Sequence, residues 1–164
     1  MTIEYLKSGK PDAERAEDDA KTKIVVEETL KNIEINGDAA VRELSTKFDN
    51  YSPKNFKLSE KEISDLIATL TDRELSDIKF AQEQVRNFAQ AQRDSMLDIE
   101  IETIPGVILG HKNIPVQSVG CYVPGGKFPM VASAHMSIAT ATVAGVPRIV
   151  ACTPPFEGKP NAAV

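Results

Sequence analysis

The chain has 164 residues, of which 41% are hydrophobic and 26% are charged, a balance typical of a globular protein with about one domain-sized core. Its formal net charge of -5 disfavours a nucleic-acid-binding protein, because no basic stripe is present to neutralise a phosphate backbone. The N-terminus has no apolar run that would form a signal peptide, and no stretch of about 18 apolar residues predicts a membrane span. We therefore expect a cytoplasmic protein whose partners include neither nucleic acid nor a membrane.

Residues 1–97 are predicted to form a helical N-terminal region. The segment from Asp12 to Ile35 has apolar residues at helical spacing and ends at Asn36-Gly37, a common helix stop. Asp38 is predicted to cap a short second helix. The apolar face of that helix would consist of Val41, Leu44 and Phe48.

Two further helices are predicted from capping boxes, in which a hydroxyl and a carboxylate satisfy free backbone donors at the helix start. Ser59 is followed by Glu62, and Thr71 is followed by Glu74. The helix after Thr71 is the longer one and needs a partner surface for its apolar stripe. The predicted stripe consists of Leu75, Ile78, Ala81, Val85, Phe88, Gln92 and Met96.

Residues 98–164 change to strand-like periodicity. Alternating residues around Pro105-Gly106 predict a hairpin with one solvated face. A strand-loop-helix-strand unit with parallel strands is predicted to follow. Its parts are Val116 to Val123, Pro124 to Lys127, Val131 to Ala144 and Arg148 to Thr153.

The fold class predicted from this order is α/β. Because a parallel sheet needs more than two strands and cover on both faces, we expect the chain to be part of one larger, truncated domain.

The loop from Pro124 to Lys127 is the first candidate site. A glycine-rich turn between a strand and a helix lets backbone N–H groups approach an anion, although Pro-Gly-Gly also serves simple chain reversal. Lys127 is a candidate contact for an anionic substrate or a cofactor phosphate, with a solvated loop lysine as the alternative. Tyr122 is placed to present its ring to a nucleotide, with a half-buried structural tyrosine as the alternative.

The start of the following helix supplies further candidates. Ser133 and Ser137 carry hydroxyls that contact a ligand or bond to the local backbone, and for Ser137 the sequence favours the backbone. His135 lies in a small, apolar stretch near the loop, where a ligand contact and a structural histidine remain alternatives. No carboxylate close in sequence is its obvious partner.

Catalytic and metal-binding patterns are missing from the sequence. No Ser-His-Asp or Cys-His arrangement can be drawn, and no HExxH motif is present, so no catalytic residue is assigned. Cys121 and Cys152 lie in predicted strands, where small buried thiols are the expectation and a disulfide or metal pair is the minor alternative. With only two histidines in the chain, no metal ligand is assigned either.

The run from Val119 to Lys127, with Pro129 and the segment Val143 to Val146, resembles the GxYxPGGxxP...AxVAGV signature of histidinol dehydrogenases. The segments Asn36 to Val41 and Phe48-Asp49 are also similar to that family. The resemblance thus covers nearly the whole chain and implies a Rossmann-like fold, here an incomplete βαβ unit.

Members of this family are longer than 164 residues, form homodimers and oxidise an alcohol to a carboxylate in two hydride transfers to NAD. The resemblance implies NAD and Zn as cofactors, with Tyr122, Gly125 and Gly126 at the NAD and with Lys127, Ser133 and His135 as candidate substrate contacts. It also implies that the Zn ligands and the catalytic pair lie beyond residue 164. We therefore expect the chain to be inactive by itself.

The segment from Phe128 to Met136 departs from the histidinol-oxidising pattern. Its PMVASAHM form is similar to the branch that oxidises sulfopropanediol to sulfolactate, which makes sulfopropanediol the expected small-molecule substrate. Two alternatives remain open from the sequence: a histidinol dehydrogenase, and a non-catalytic scaffold or interaction module.

Overall fold

The computed structural model describes residues 9–164, so the first eight residues of the predicted helical region lie outside it. The chain divides into two compact units, one ending at Ser52 and the other running over Pro53–Val164. The sequence-based boundary at 97/98 follows the change from helix to strand, whereas the compact units divide after Ser52. The long helix before residue 97 therefore belongs to the same unit as the strands.

The first unit contains α1 (Asp12–Asn36) and α2 (Asp38–Asp49), which contact each other. The helix predicted from Asp12 is confirmed, and Gly37 ends it by donating its N–H to the carbonyl of Ile33 at 2.8 Å. The predicted cap at Asp38 is wrong, because Gly37 is the N-cap and Asp38 is the first helical residue of α2, with no side-chain cap hydrogen bond.

The apolar face predicted for α2 is only partly packed. Val41 and Leu44 are half-buried, but Phe48 is 71% exposed, with the Lys47 ammonium 5.1 Å from the centre of its ring. Ala40 is the buried residue of this helix.

The second unit begins with α3 (Glu60–Ile67) and α4 (Asp72–Asp94), and both predicted capping boxes are confirmed. In the second box, the Thr71 N–H donates to the Glu74 carboxylate at 2.9 Å, and the Glu74 N–H donates to the Thr71 hydroxyl at 3.2 Å. The bond from the Thr71 N–H, followed by the bond from its hydroxyl, lowers the pKa of Glu74. The equivalent bonds from Ser59 lower the pKa of Glu62.

The predicted stripe of α4 is correct in its first half and wrong in its second. Leu75, Ile78 and Val85 are half-buried, whereas Phe88 is 68% exposed and Ala89 is 7% exposed. The next buried residue after Val85 is thus Ala89, four positions on, whereas the sequence pattern predicts Phe88, three positions on. Small residues at this point suit α4 to a close helix neighbour.

A hairpin follows, formed by β1 (Ile99–Ile104) and β2 (Val107–His111) in antiparallel register. Both faces of both strands are exposed in the residues described, so the prediction of a single solvated face is wrong for this part of the molecule. Gly110 lies against the opposite strand: a Cβ atom there would be 2.0 Å from the carbonyl oxygen of Ile99. Asp98 accepts hydrogen bonds from Asn113 at the open end, which lower the pKa of its carboxyl group.

The predicted parallel pair is confirmed as β3 (Ser118–Tyr122) and β4 (Arg148–Cys152), with Tyr122 in register with Cys152. The connection contains α5 (Val131–Ala134), a π-helical segment (His135–Ala139) and α6 (Thr140–Val143), where the sequence predicts one continuous α-helix. Hydroxyl groups that bond back to carbonyls accompany this irregularity, including Ser137 Oγ to Ser133 O at 2.7 Å. This bond confirms the structural role expected for Ser137.

The core of the second unit lies where α4 contacts the π-helical segment and α6. Its buried residues are small, and they include alanines on both sides of this contact. The α/β class, with helices first, then a hairpin and an incomplete βαβ unit, is confirmed.

Candidate functional site

The loop from Pro124 to Lys127 follows the carboxyl end of β3 and lies against the residues that follow β4. The Val123 N–H donates to the carbonyl of Cys152 at 2.8 Å, and the Met130 N–H donates to the carbonyl of Pro124 at 3.0 Å. In open α/β sheets, ligands bind outside the carboxyl ends of the parallel strands. The loop therefore occupies the edge at which a binding site is expected.

Gly125 is required by the packing of this loop. It is buried, and a Cβ atom at this position would lie 2.8 Å from the Thr153 hydroxyl oxygen. At Gly126, which is exposed, a Cβ atom would meet only Pro154 Cγ at 3.9 Å, an ordinary contact. The two glycines thus differ: the first permits the approach of Thr153, whereas the second leaves the loop backbone open.

The loop also leaves backbone donors unpaired. Within residues 9–164, the N–H groups of Gly125, Gly126 and Lys127 donate no hydrogen bond to a backbone carbonyl. Successive free N–H groups form a concavity that suits an anion. The loop is therefore a candidate site for an anion.

Tyr122 ends β3 beside this loop. Its neighbours Cys121 and Val123 are buried, whereas the Tyr122 side chain is on the opposite face and is 63% exposed. An exposed ring at this strand end is available to stack against a planar ligand group.

Lys127 is exposed in the same loop, and Ser133 is half-buried at the start of the helical connection. The Ser133 carbonyl accepts the bond from Ser137, and no side-chain hydrogen bond joins Ser133 to Lys127 or His135 among the residues described. The substrate roles of these residues stay predictions.

His135 lies away from the loop, in a cavity of about 130 Å³. The side chain is 8% exposed, and none of the four loop residues lines the cavity. The structure therefore separates the sequence candidates into a group around Pro124 to Lys127 and a second place around His135. The residues lining the cavity are Gln82, Arg86, Ala134, His135, Ile138, Ala139, Thr142, Ala163 and Val164.

Gln82 and Arg86 line this cavity, although the sequence pattern does not single them out. They are four residues apart in α4 and flank its apolar stripe, so they lie on one side of the helix. The only sequence feature that could have drawn attention to them is their position as a polar pair beside the apolar stripe of α4. Only the packing of the π-helical segment against α4 identifies it as part of a cavity.

Metal ligands do not converge in the described part of the chain. Among residues 9–164, no group of three or more His, Cys, Asp and Glu side chains is arranged to hold a metal ion. Cys121 is buried, as expected, but Cys152 is exposed, which corrects the expectation of two buried thiols. Both thiols are free, and since Cys121 is in register with Ala151 and Cys152 with Tyr122, their side chains lie on opposite faces of the strand pair.

Comparison with known proteins defines the class to which this fold and this loop belong. The family model described as histidinol dehydrogenase matches residues 12–164. The chain therefore belongs to the histidinol dehydrogenase family.

No helix among residues 9–164 is both long enough and apolar enough to cross a membrane.

Among individual relatives, a histidinol dehydrogenase homolog of Shouchella clausii is 54% identical over 160 residues, covering 98% of this chain and 38% of the relative. The sulfopropanediol 3-dehydrogenase of Ruegeria pomeroyi is 42% identical over 158 residues, covering 96% of this chain and 36% of the relative. The chain thus spans little more than a third of the length of these relatives.

A solved structure also matches. The crystal structure of histidinol dehydrogenase from Elizabethkingia anophelis has a TM-score of 0.79 and 26% sequence identity, covering 97% of this chain and 34% of that chain. This match supports the α/β architecture described above.

Proposed function

We propose that this chain contributes the NAD-binding loop of a Zn- and NAD-dependent alcohol dehydrogenase, an oxidoreductase that converts sulfopropanediol to sulfolactate in two hydride transfers. The observation that carries the proposal is the loop at the carboxyl ends of β3 and β4, with its free N–H groups and the exposed ring of Tyr122. Membership of a dehydrogenase family supports it.

The choice of substrate rests on sequence similarity. Identity to the sulfopropanediol 3-dehydrogenase is 42% over 158 residues, whereas identity to the histidinol dehydrogenase of Methanosarcina mazei is 37% over 130 residues. The segment from Phe128 to Met136 points in the same direction. Histidinol is the alternative substrate, since several relatives carry that name.

When bound, NAD would supply the hydride acceptor for the proposed reaction. The chain's own part would be to bind and orient the cofactor: the N–H groups of Gly125 and Gly126 would hold a phosphate, and the Tyr122 ring would restrict the position of a planar group. Lys127 is a cationic donor for the anionic end of the substrate, and Ser133 offers a hydroxyl near the helix start.

Residues 9–164 do not provide a cluster of zinc ligands. In the proposal, the zinc ligands and the catalytic pair come from sequence beyond residue 164. A cytoplasmic location and a homodimer are parts of the same proposal.

The deciding experiment measures NADH formation at 340 nm by the protein expressed from its complete reading frame. We expect turnover of sulfopropanediol and little turnover of histidinol. Turnover of histidinol alone would reject the proposed substrate. Absence of NADH formation with both alcohols, by a folded and zinc-loaded protein, would favour the non-catalytic scaffold.

A further inference from the structure

Thr153 is the first residue after β4, and its side chain lies against the loop of Pro124 to Lys127. The Thr153 hydroxyl oxygen occupies the space that a side chain at Gly125 would need, since a Cβ atom there would be 2.8 Å from it. Gly125 is buried and Thr153 is half-buried. Because β3 and β4 are paired in parallel, this contact joins the carboxyl ends of neighbouring strands.

The Thr153 hydroxyl is only weakly bonded within the chain. Among residues 9–164 its hydrogen bond goes to the carbonyl of Pro154 at 3.4 Å, whereas such O–H···O bonds are usually about 2.7–2.8 Å long. A hydroxyl hydrogen rotates about the Cβ–Oγ1 bond without moving the oxygen. This donor can therefore turn from the Pro154 carbonyl toward a ligand at the loop, and it gives up little when it does so.

The position of the hydroxyl oxygen is fixed before any ligand binds. Thr153 precedes a proline, which restricts its backbone to extended conformations. Its β-branched side chain also has few χ1 rotamers. Ligand binding therefore has little side-chain freedom to remove at this residue, and that lowers the entropic cost of the contact.

Backbone donors surround the same point. The N–H groups of Gly125 and Gly126 donate no hydrogen bond to any group of residues 9–164. A buried N–H group without a partner is costly, so the buried Gly125 in particular points to a ligand or an ordered water molecule. With the Thr153 hydroxyl, the edge presents three donors to one ligand.

The absence of a carboxylate directly after β4 favours a phosphate as that ligand. In dinucleotide-binding folds, an acidic residue about 20 residues after the glycine-rich turn binds a hydroxyl of the ribose. Here β4 is followed by Thr153 and two prolines, and the next acidic residue, Glu157, is exposed in a later turn. A neutral donor at the strand end does not repel an anion, as a carboxylate would.

We propose that Thr153 is a phosphate-selecting residue of the cofactor site. Its hydroxyl donates to an oxygen of the phosphate group that the N–H groups of Gly125 and Gly126 hold. This inference rests on the proposed function, because it assigns a further contact to the same NAD-binding loop. Its own content is that Thr153 distinguishes a phosphorylated nucleoside from the bare nucleoside.

The test compares the affinities of NAD, ADP and adenosine for the protein expressed from its complete reading frame, by calorimetry for the first two and by ligand-observed NMR for adenosine. Thr153→Val keeps the shape of the side chain and removes the hydroxyl. We expect it to weaken NAD and ADP by about tenfold, as for a lost hydrogen bond to a charged group, and to leave adenosine unchanged. Thr153→Ala should give the same pattern, and Thr153→Ser, which keeps the hydroxyl, should retain the affinity.

Thr103→Val is the matched control. The Thr103 hydroxyl, on the hairpin, also bonds a backbone carbonyl at 3.4 Å, that of Val107, but it lies outside the loop. This variant should bind all three ligands as the unsubstituted protein does.

The outcomes separate this inference from the proposed function. If the unsubstituted protein binds NAD and the Thr153→Val and Thr103→Val variants bind it equally well, the role of Thr153 is rejected and the proposed function stands. An adenosine affinity that falls as much as that of ADP would also overturn the inference, because the hydroxyl would then contact the nucleoside. Failure of the unsubstituted protein to bind NAD would reject both.

Discussion

At the scale of single residues, the exposed ring of Tyr122 is the most direct test of the NAD site. Replacing Tyr122 by Ala removes the only planar surface that β3 presents beside the loop, and we expect NAD affinity to fall by about tenfold, the amount that a stacking contact of about 1.4 kcal/mol provides. The measurement is equilibrium binding of NAD to the full protein. Tyr122→Phe, which keeps the ring, should retain most of the affinity.

The outcome that contradicts this prediction is equal NAD affinity in the Ala and unsubstituted proteins. Tyr122 would then be a structural residue, and the free N–H groups of the loop would be the remaining support for a cofactor site.

Gly125 gives a second prediction at this scale. In Gly125→Ala the new Cβ atom is placed 2.8 Å from the Thr153 hydroxyl oxygen, so we expect a loss of stability of about 1–3 kcal/mol, as in other overpacked sites. Gly126→Ala is the matched control, because its Cβ atom meets an ordinary contact at 3.9 Å. Urea denaturation compares the two variants.

Removing the Thr153 hydroxyl tests whether the loss comes from the close contact at Gly125 or from any substitution in this loop. The double variant Gly125→Ala with Thr153→Ala should recover most of the lost stability. If it does not, the approach of Thr153 is not the reason that glycine occupies position 125.

At the scale of elements, the capping box at the start of α4 allows a prediction on stability. Thr71→Ala removes the hydroxyl that accepts the Glu74 N–H, and we expect a loss of about 1 kcal/mol in the free energy of unfolding. Thr69→Ala is a suitable comparison, since Thr69 lies outside the box and its hydroxyl bonds only to the Leu66 carbonyl. If Thr69→Ala loses as much unfolding free energy as Thr71→Ala, the loss at Thr71 does not come from the capping box.

The same box makes stability depend on pH. The bonds from Thr71 lower the pKa of Glu74 below the usual 4.5, so this carboxylate stabilises the folded state above that pH, and the contribution is lost as the pH falls through the lowered pKa. Glu74→Gln should therefore reduce the acid dependence of stability below about pH 4.5. Glu83→Gln, on the same helix but outside the box, serves as the control, and an identical acid dependence in both variants would refute the assignment.

The helices and strands differ in how well they could be predicted from the sequence. Helix starts, the hairpin turn and the parallel pair were predictable because hydroxyl-carboxylate pairs, Pro-Gly and apolar runs act locally. The exposure of Phe88 and the π-helical geometry at His135 were not, since both depend on how α4 and the helical connection pack. For the same reason, the loop candidates were found from sequence, whereas the cavity with Gln82 and Arg86 was not.

At the scale of the whole molecule, uncovered apolar surface is the main feature. Ile101 and Leu109 face each other across the hairpin, and both are exposed, as are several large apolar residues of α1. Surfaces of this kind mark contacts with further protein. We therefore expect a polypeptide limited to these 164 residues to associate with itself as its concentration rises.

Sedimentation velocity over a range of concentrations measures this association. Ile101→Lys combined with Leu109→Glu places opposite charges at a paired position and should reduce it, whereas Glu100→Gln, on the other face of the hairpin, should not. A monomer at every concentration would contradict the expectation.

Gly110 limits which amino acids this hairpin can accept. Since the carbonyl oxygen of Ile99 would lie 2.0 Å from any Cβ atom at that position, every other amino acid must separate the two strands or shift their pairing. At Gly120 an added Cβ atom would meet nothing within 4 Å among residues 9–164, so this position faces no such limit there. In a library randomised at both positions and selected for folding, position 110 should return glycine alone, and position 120 a mixture.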